Sequence, residues 1–568
     1  MKSPAAPRQW WFDALLVLAC VVAFGPGMPG GLIRYDDSLY IFRNTELLGR
    51  PGWAGLAAVW DSSRAWNGQF VEFFPLRDTV YWLVFQRWET WGLPYHLASL
   101  AFHVVASVLA LRLASALGLS RFAALVAALL FAAHPIHVES VVWASGLKDP
   151  MYTAYLFGSL LVFARLREHP RPWLLPLSML LFIGALLVKS MALSLPLLLL
   201  AMERWVGPPT PWRLIAQRLS GFVVVSGLFL VQFVLIGKAN AAVVEPHGGS
   251  WSAHLVLAAW AQVKYLKQAL VPSTFRLIYC FEPPTGLTDA RLWLAVLVLS
   301  GVGVLLWWWR KQPLLKFGVA WYFACLLPAS NLVPFPAVMA DRYLYAAVFG
   351  VCVVLALLVD RMSERPRMII VVGSVLGLTL TSAARSALWL DEENLWAETD
   401  EDPACLVDRS RPAVDAHLLR FRAATDRRVA LQALERALIT PGLAQSSHLC
   451  EALQNGALLT VELGEPERGE AWARSASERC PSEAMSWSAL AQTTLRRNPP
   501  LALDAAQRAW RLEPSVAAQT LVGVLQLEAG AEDGERLLLD AVRQQGDEAC
   551  PVLRRVASPQ VVARFCPG

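Results

Sequence analysis

The stretch FAAHPIHVESVVWASGLKDPMY, residues 131–152, sets two histidines, a glutamate, a lysine and an aspartate between runs that are otherwise almost wholly Ala, Leu, Val and Phe. Ionisable groups beside apolar segments of this length are costly unless they are paired or used. The flanking runs decide the fold class. Of the 568 residues, 56% are hydrophobic and only 17% charged, and the mean hydropathy is +0.43, a composition foreign to soluble domains. The chain reads as an integral membrane protein. Apolar runs fall near 10–30, 94–117, 120–134, 150–166, 172–188, 190–203, 216–236, 291–309, 315–332, 342–360 and 367–384, which gives about eleven spans at the usual length of about 17–25 residues. The first follows Lys2 and Arg8 and ends in GPGMPG without a small-residue cleavage pattern, so it reads as an uncleaved anchor with a cytoplasmic N-terminus.

Basic residues in short loops orient the rest. Arg165, Arg167 and Arg171, then Arg204, Arg213 and Arg218, then Arg310, Lys311 and Lys316, then Arg361, Arg365 and Arg367 all fall on the cytoplasmic side if there are eleven spans. Counting 254–271 as a twelfth would bury Lys264 and Lys267 in lipid, so this segment reads as an interfacial amphipathic helix. YDDSLYIFRN, the opening stretch, the 237–290 loop, NLVPFPAVMADRYLY and everything after about residue 385 then share the far side.

Beyond the last span the composition turns to Ala, Glu, Arg, Gln and Ser. Residues 462–483 and 495–515 align with Gly464 over Asn498 and Ala471 over Ala505, a period of 34, with Pro481 and Pro514 closing each unit; a weaker unit begins at EAGAEDGERLLLDAVRQ. Such a period matches tetratricopeptide repeats, whose stacked helix pairs present a concave face suited to a peptide. The expected organisation is all-α: a membrane domain over 1–388 and a soluble helical solenoid over 389–568. Cys280, Cys405, Cys450, Cys480, Cys550 and Cys566 lie on the far side, where an oxidising compartment permits up to three disulfides; Cys20, Cys325 and Cys352 lie in expected spans.

Three groups of residues could carry chemistry. Asp36 and Asp37, between Tyr35 and Tyr40, directly follow the first span, and a carboxylate there suits a general base on a hydroxyl; Asp36 is the first choice and Asp37 the second. His134, His137 and Glu139 are metal-capable, but no second ligand cluster accompanies them and Pro135 marks a helix end, so helix capping competes with metal binding and no metal is assigned. Lys148, Lys189 and Arg342 recur at span edges; three cations on one side suggest an anionic ligand such as a lipid-linked phosphate, with snorkelling as the ordinary alternative.

HPIHVESVVWASGLKD resembles the His-Pro-x-His-x-Glu-Ser-Val-x-Trp-x-x-Gly-Arg-Lys-Asp signature of the transmembrane and tetratricopeptide-repeat-containing proteins, which are similar to protein O-mannosyltransferases. YDDSLYI, ADRYLY and LWLDEENLWAETDEDP also match. Leu147 departs from the signature's Arg, and Ser190 from the Glu that usually follows the lysine. The resemblance implies a multi-span GT-C glycosyltransferase that moves a sugar, mannose in the named relatives, from a polyprenyl-phosphate carrier to a hydroxyl of a protein or glycan, with inversion. It implies an outer-loop aspartate as base and no cofactor or metal beyond the lipid-phosphate co-substrate. His134, His137, Glu139, Lys148, Asp149, Lys189, Arg342 and Tyr343 would line the site opposite Asp36 and Asp37. The setting would be a bacterial inner membrane or an endoplasmic reticulum, with the repeats periplasmic or lumenal and the partners being membrane lipid, donor and acceptor, with no nucleic acid. A multi-span transporter, which should show inverted repeats and broken helices, and a non-catalytic scaffold presenting the repeats are the competing classes.

Overall fold

A computed structural model describes residues 10–566 except 34, 67–71, 208, 240–245, 283, 336, 401–404, 406–410 and 441–448. The basic start at Lys2 and Arg8 lies outside the described residues. Helices account for all the regular structure among those described, and the chain divides into two compact units, Met1–Thr399 and Asp400–Gly568. The division falls beyond residue 388, the boundary that composition suggests. The reason is local: Arg385 pairs with Glu398, and Trp396 is fully buried with its ring edge-on to Tyr35 at 5.5 Å.

The long helices of the first unit are α1 (Trp10–Phe24), α2 (Pro75–Trp88), α3 (Gly92–Ala116), α4 (Arg121–Ala132), α5 (Lys148–Glu168), α6 (Leu174–Leu186), α7 (Leu195–Trp205), α8 (Trp212–Ala239), α9 (Trp251–Leu270), α10 (Ala290–Trp308), α11 (Pro313–Leu326), α12 (Val348–Asp360) and α13 (Glu364–Ala387). Five stretches, built on α1, α3, α8, α10 and α13, are long and apolar enough to cross a bilayer, or six if α4 and the following Pro135–Val142 segment, bent by 44°, make one broken span. The chain is therefore an integral membrane protein by its apolar helices. The remaining expected spans are helices of 11 to 21 residues. A 13-residue helix rises only about 20 Å against a hydrocarbon core of about 30 Å.

Two features fix the positions around the opening stretch. At Pro135 the helix stops, because proline lacks the N–H that would continue it, and the chain runs on through short turns to Lys148, where α5 begins. On the neighbouring side, α11 and α12 cross at Gly318 and Gly350; a Cβ on Gly350 would lie 2.3 Å from the Gly318 carbonyl. Close backbone approach at small residues is a common means of helix association in membranes. Here it brings the Asp341–Leu344 turn, just before α12, over the opening stretch. Trp321 Nε1 donates to the Ala346 carbonyl at 2.8 Å and holds that turn in place.

In the second unit, antiparallel helices follow one another over Leu449–Glu462, Pro466–Arg479, Ala484–Thr494, Pro499–Leu512, Val516–Glu528 and Glu532–Val556. The internal repeat is there, but its register differs by one residue from the alignment of Ala471 with Ala505. Ala471 is exposed and Ala505 buried. The buried positions that correspond are Gly469 with Ala502, Ala473 with Ala506 and Ala476 with Ala509, 33 residues apart in each case. The helix starts keep the same spacing, Pro466 with Pro499, so Glu465 and not Gly464 corresponds to Asn498, which caps its helix by accepting from Leu501 N–H at 3.3 Å. Disulfides join Cys450 to Cys480 and Cys550 to Cys566. The free cysteines among the described residues are Cys20, Cys325 and Cys352, all buried in the first unit.

Candidate active site

The loop after α1 folds back as a one-turn helix, Asp36–Tyr40. Its apolar side, Ile41 with Leu48, packs on Tyr81, Val84 and Phe85 of α2, on Tyr95, and on Ala144 and Leu147. Leu147, where the resembling signature has Arg, is fully buried in this cluster, so the departure exchanges a charge for packing.

The two aspartates have different environments. Asp37 is fully buried. Its Oδ1 accepts the Ser145 N–H at 2.8 Å and also the Ser145 hydroxyl, and its Oδ2 accepts the Ile33 N–H at 2.8 Å. Burial pushes its carboxyl up to about 7, against the hydrogen bonds of Ser145 and Ile33, which lower it. A raised folded-state pKa means that this group's contribution to stability is complete below about pH 4 and is lost as the pH rises through about 7. Asp37 thus clamps the loop to the opening stretch. Asp36 is only half-buried, has no hydrogen-bond partner among the described residues, and lies within electrostatic reach of Arg342, Tyr343 and Tyr40.

The cations are arranged differently from three bare charges. Arg342 Nη1 pairs with Glu139 Oε1, and the Arg342 backbone N–H donates to Glu139 Oε2 at 3.0 Å. The Arg342 guanidinium stands 5.6 Å from the Trp143 ring centroid and 5.4 Å from that of Tyr343. Lys189 pairs with Asp149 and faces the Tyr343 ring at 5.6 Å. The expectation of three cations awaiting an anion is corrected for two of them. A buried charge without a counterion is penalised by several kcal/mol, and the acids of the opening stretch supply the counterions. Lys148 is different: it is buried, it has no ion-pair partner within 4 Å among the described residues, and its ammonium stands 5.0 Å from the Tyr40 ring centroid.

Three residues absent from the sequence expectations complete this corner. Arg77, fully buried at the start of α2, bonds Glu72 Oε2 at 3.1 Å and Asp78 Oδ1 at 2.8 Å, and its guanidinium stands 4.3 Å from the Tyr40 ring centroid. The Tyr40 hydroxyl donates to Glu72 Oε2 at 2.9 Å. Burial raises the Glu72 carboxyl, but Lys148 and Arg77 and the Tyr40 hydrogen bond outweigh it and hold the group down at about 2. A signal was present in EFFPLRD, acid and base flanking a helix-starting proline, but α2 is too polar to have stood out as a span.

The histidines belong to the packing of the broken helix. His134 Nδ1 accepts from Ile136 N–H at 3.2 Å, capping the turn, and its Nε2 donates to the Ala269 carbonyl at 3.3 Å. His137 Nε2 donates to the Tyr345 carbonyl at 3.2 Å within a cluster of His103, Phe131 and Tyr345 rings. Both are enclosed, so the expectation that they line the site wall gives way to one of helix capping and core packing. Tyr35 stacks on Trp143 at 5.9 Å and 14°, which places an aromatic surface beside Asp36 and Arg342.

Such a corner combines a half-exposed carboxylate, a lysine with no ion-pair partner among the described residues, neutralised cation pairs and stacked aromatic rings. It can take a proton and hold an anion beside an aromatic surface. Over 171 residues the chain is 33% identical to Protein O-mannosyl-transferase Tmtc2 of Drosophila melanogaster. The matching relatives are named protein O-mannosyl-transferases. The match covers 28% of this chain and 18% of Tmtc2. Protein O-mannosyl-transferase Tmtc1 of the same fly is 32% identical over 169 residues, 29% of this chain and 19% of the relative. Protein O-mannosyl-transferase F38B6.6 of Caenorhabditis elegans is 26% identical over 144 residues, 24% and 21%. The chain thus spans about a fifth of the length of the curated relatives it matches. No protein-family model matches it.

Proposed function

We propose that the chain is a GT-C-type membrane glycosyltransferase that moves a sugar, mannose by analogy with the names of its relatives, from a polyprenyl-phosphate carrier to a hydroxyl of a protein acceptor on the far side of an eleven-span membrane domain. The observation that carries the reading is the inequality of the two aspartates. Asp37 is consumed by three hydrogen bonds, while Asp36, near Arg342, has none among the described residues. In the reaction Asp36 accepts the acceptor's hydroxyl proton. The freed oxygen attacks the anomeric carbon as the bond from that carbon to the phosphate oxygen breaks, and polyprenyl phosphate leaves with the electron pair and the added negative charge. Lys148 meets that charge, and Arg342, fixed by Glu139, presents its remaining N–H groups beside it. Tyr35, held by stacking on the fully buried Trp143, offers the sugar ring an apolar face.

Purified protein given polyprenyl-phosphate mannose and a Ser- or Thr-containing peptide should form mannosyl peptide; absence of transfer from every polyprenyl-phosphate hexose tried would end the proposal. Within it, Lys148→Met should lower kcat/KM for the donor about tenfold or more, through both a higher donor KM and a lower kcat, since the contact to phosphate is made in the ground state and strengthens as the leaving group gains charge. An unchanged kcat/KM for the donor removes Lys148 from the phosphate site.

The second unit's helix pairs are read as a tetratricopeptide-like solenoid that holds an extended acceptor. Deleting residues 400–568 should spare transfer to a short peptide and lower transfer to a folded or long acceptor at least tenfold, because a second binding site raises the effective concentration of the first. Equal rates on long acceptors with and without the unit would reduce it to a cap.

A further inference from the structure

Between α7 and α11 lies a trough of about 590 Å³. Its floor is made of small residues, Ala201, Ala320 and Ala324, and its walls of large ones, among them Leu197, Phe323 and Leu327. Leu197 and Leu327 are more than 40% exposed, so the far end is open along the helices. The near end is chemically different. Arg204 lines it with its guanidinium 4.6 Å from the Trp212 ring centroid, and Lys316, one turn before Ala320, holds its ammonium 5.4 Å from the Trp205 ring centroid.

Neither cation has a carboxylate partner within 4 Å among the described residues. The acid next to them, Glu203, is fully buried and taken by two other arginines, Arg167 at 3.0 Å and Arg218 at 2.9 Å. An apolar trough with an aliphatic open end, two tryptophans at one level and two uncompensated cations at that same level has the charge and polarity profile of a bound lipid. Tryptophans concentrate at the headgroup level of membranes, and basic pockets between spanning helices on the cytoplasmic side hold anionic headgroups.

We propose that this trough binds an anionic phospholipid, with one acyl chain lying along Ala201, Ala320 and Ala324 and the phosphate between Arg204 and Lys316. The trough shares no lining residue with the proposed donor site and does not depend on the glycosyltransferase reading.

The test uses the full-length protein in mild detergent, with retained lipid counted by native mass spectrometry after addition of dioleoyl phosphatidylglycerol or dioleoyl phosphatidylcholine. The wild type should retain phosphatidylglycerol in preference. Arg204→Ala with Lys316→Ala should weaken phosphatidylglycerol retention about thirty-fold, taking a surface cation's usual worth for anionic lipid, and leave phosphatidylcholine unchanged. Arg204→Lys with Lys316→Arg should keep the preference. Ala324→Trp, which fills the trough, should reduce retention of both lipids. A readout needing no variant is the wild-type thermal midpoint, which phosphatidylglycerol should raise more than phosphatidylcholine does at about 50 mM salt and much less at about 500 mM, where charges are screened. Equal retention of the two lipids by the wild type, a phosphatidylglycerol preference that survives loss of both cations, a preference for polyprenyl phosphate over phosphatidylglycerol, or burial of the trough in a dimer of this chain would each overturn the assignment.

Discussion

Asp36→Asn is expected to lower sugar transfer by about 10²- to 10⁴-fold, the usual worth of a positioned general base, while the protein remains folded. The amide keeps the size of the carboxylate and cannot take the acceptor's proton. Because Asp36 makes no hydrogen bond to the described residues, the substitution breaks no contact among them. Asp37→Asn should act otherwise. An amide can still accept from Ser145 but turns a donor toward the Ile33 N–H, so the loop loosens: stability falls by about 1–3 kcal/mol and turnover drops less than for Asp36→Asn. Transfer rates and thermal midpoints of the two variants, measured side by side, separate the roles. Near-normal turnover of Asp36→Asn would show that Asp36 is not the base, and full loss in Asp37→Asn at unchanged stability would hand the role to its neighbour.

Glu139→Gln is expected to destabilise the first unit by about 3–5 kcal/mol, the penalty for stranding one member of a buried ion pair. The stranded member is Arg342, nine-tenths buried and bonded to Glu139 through both its guanidinium and its backbone N–H. Arg342→Met should cost a similar amount by stranding the carboxylate. The double variant should be markedly less unstable than the sum of the two, since it leaves no unpaired charge, and the difference measures the coupling. Additive losses in a thermal or denaturant series would mean that the pair does not act as a unit. Activity should vanish in the two variants that lack Arg342, stable double variant included, and survive in part in Glu139→Gln, which separates the phosphate contact from the structural role.

Much of the site's membership was legible in the sequence because its members are conspicuous there. Charges beside apolar runs are rare, so Asp36, Glu139, Lys148, Asp149, Lys189 and Arg342 stand out by their surroundings alone. Their partners were not legible. Glu139 and Asp149 sit ten residues apart in one stretch, yet their counterions are Arg342 and Lys189, on turns preceding other helices. Nothing in residue spacing says which acid faces which base. Arg77 and Glu72 escaped notice because the helix that carries the arginine is mixed in polarity and marks itself as neither span nor loop.

The sequence by itself determined the class of the protein and where its polarity is concentrated: 56% hydrophobic residues in spaced runs can satisfy their backbone groups in lipid only as helices, and the change in composition near residue 390 announces a separate helical unit. Tertiary structure decided what each polar residue does. It placed Asp37 where three donors converge and gave Asp36 none among the described residues. It made counterions of the acids in the opening stretch, turned His134 into a cap, and set the repeat at 33 residues by which small side chains it buried. The physical reason is common to all of these. Hydrophobicity is a property of a residue and can be read along the chain, whereas the cost of a buried charge or hydrogen-bonding group depends on what faces it, and only the folded chain supplies that neighbour.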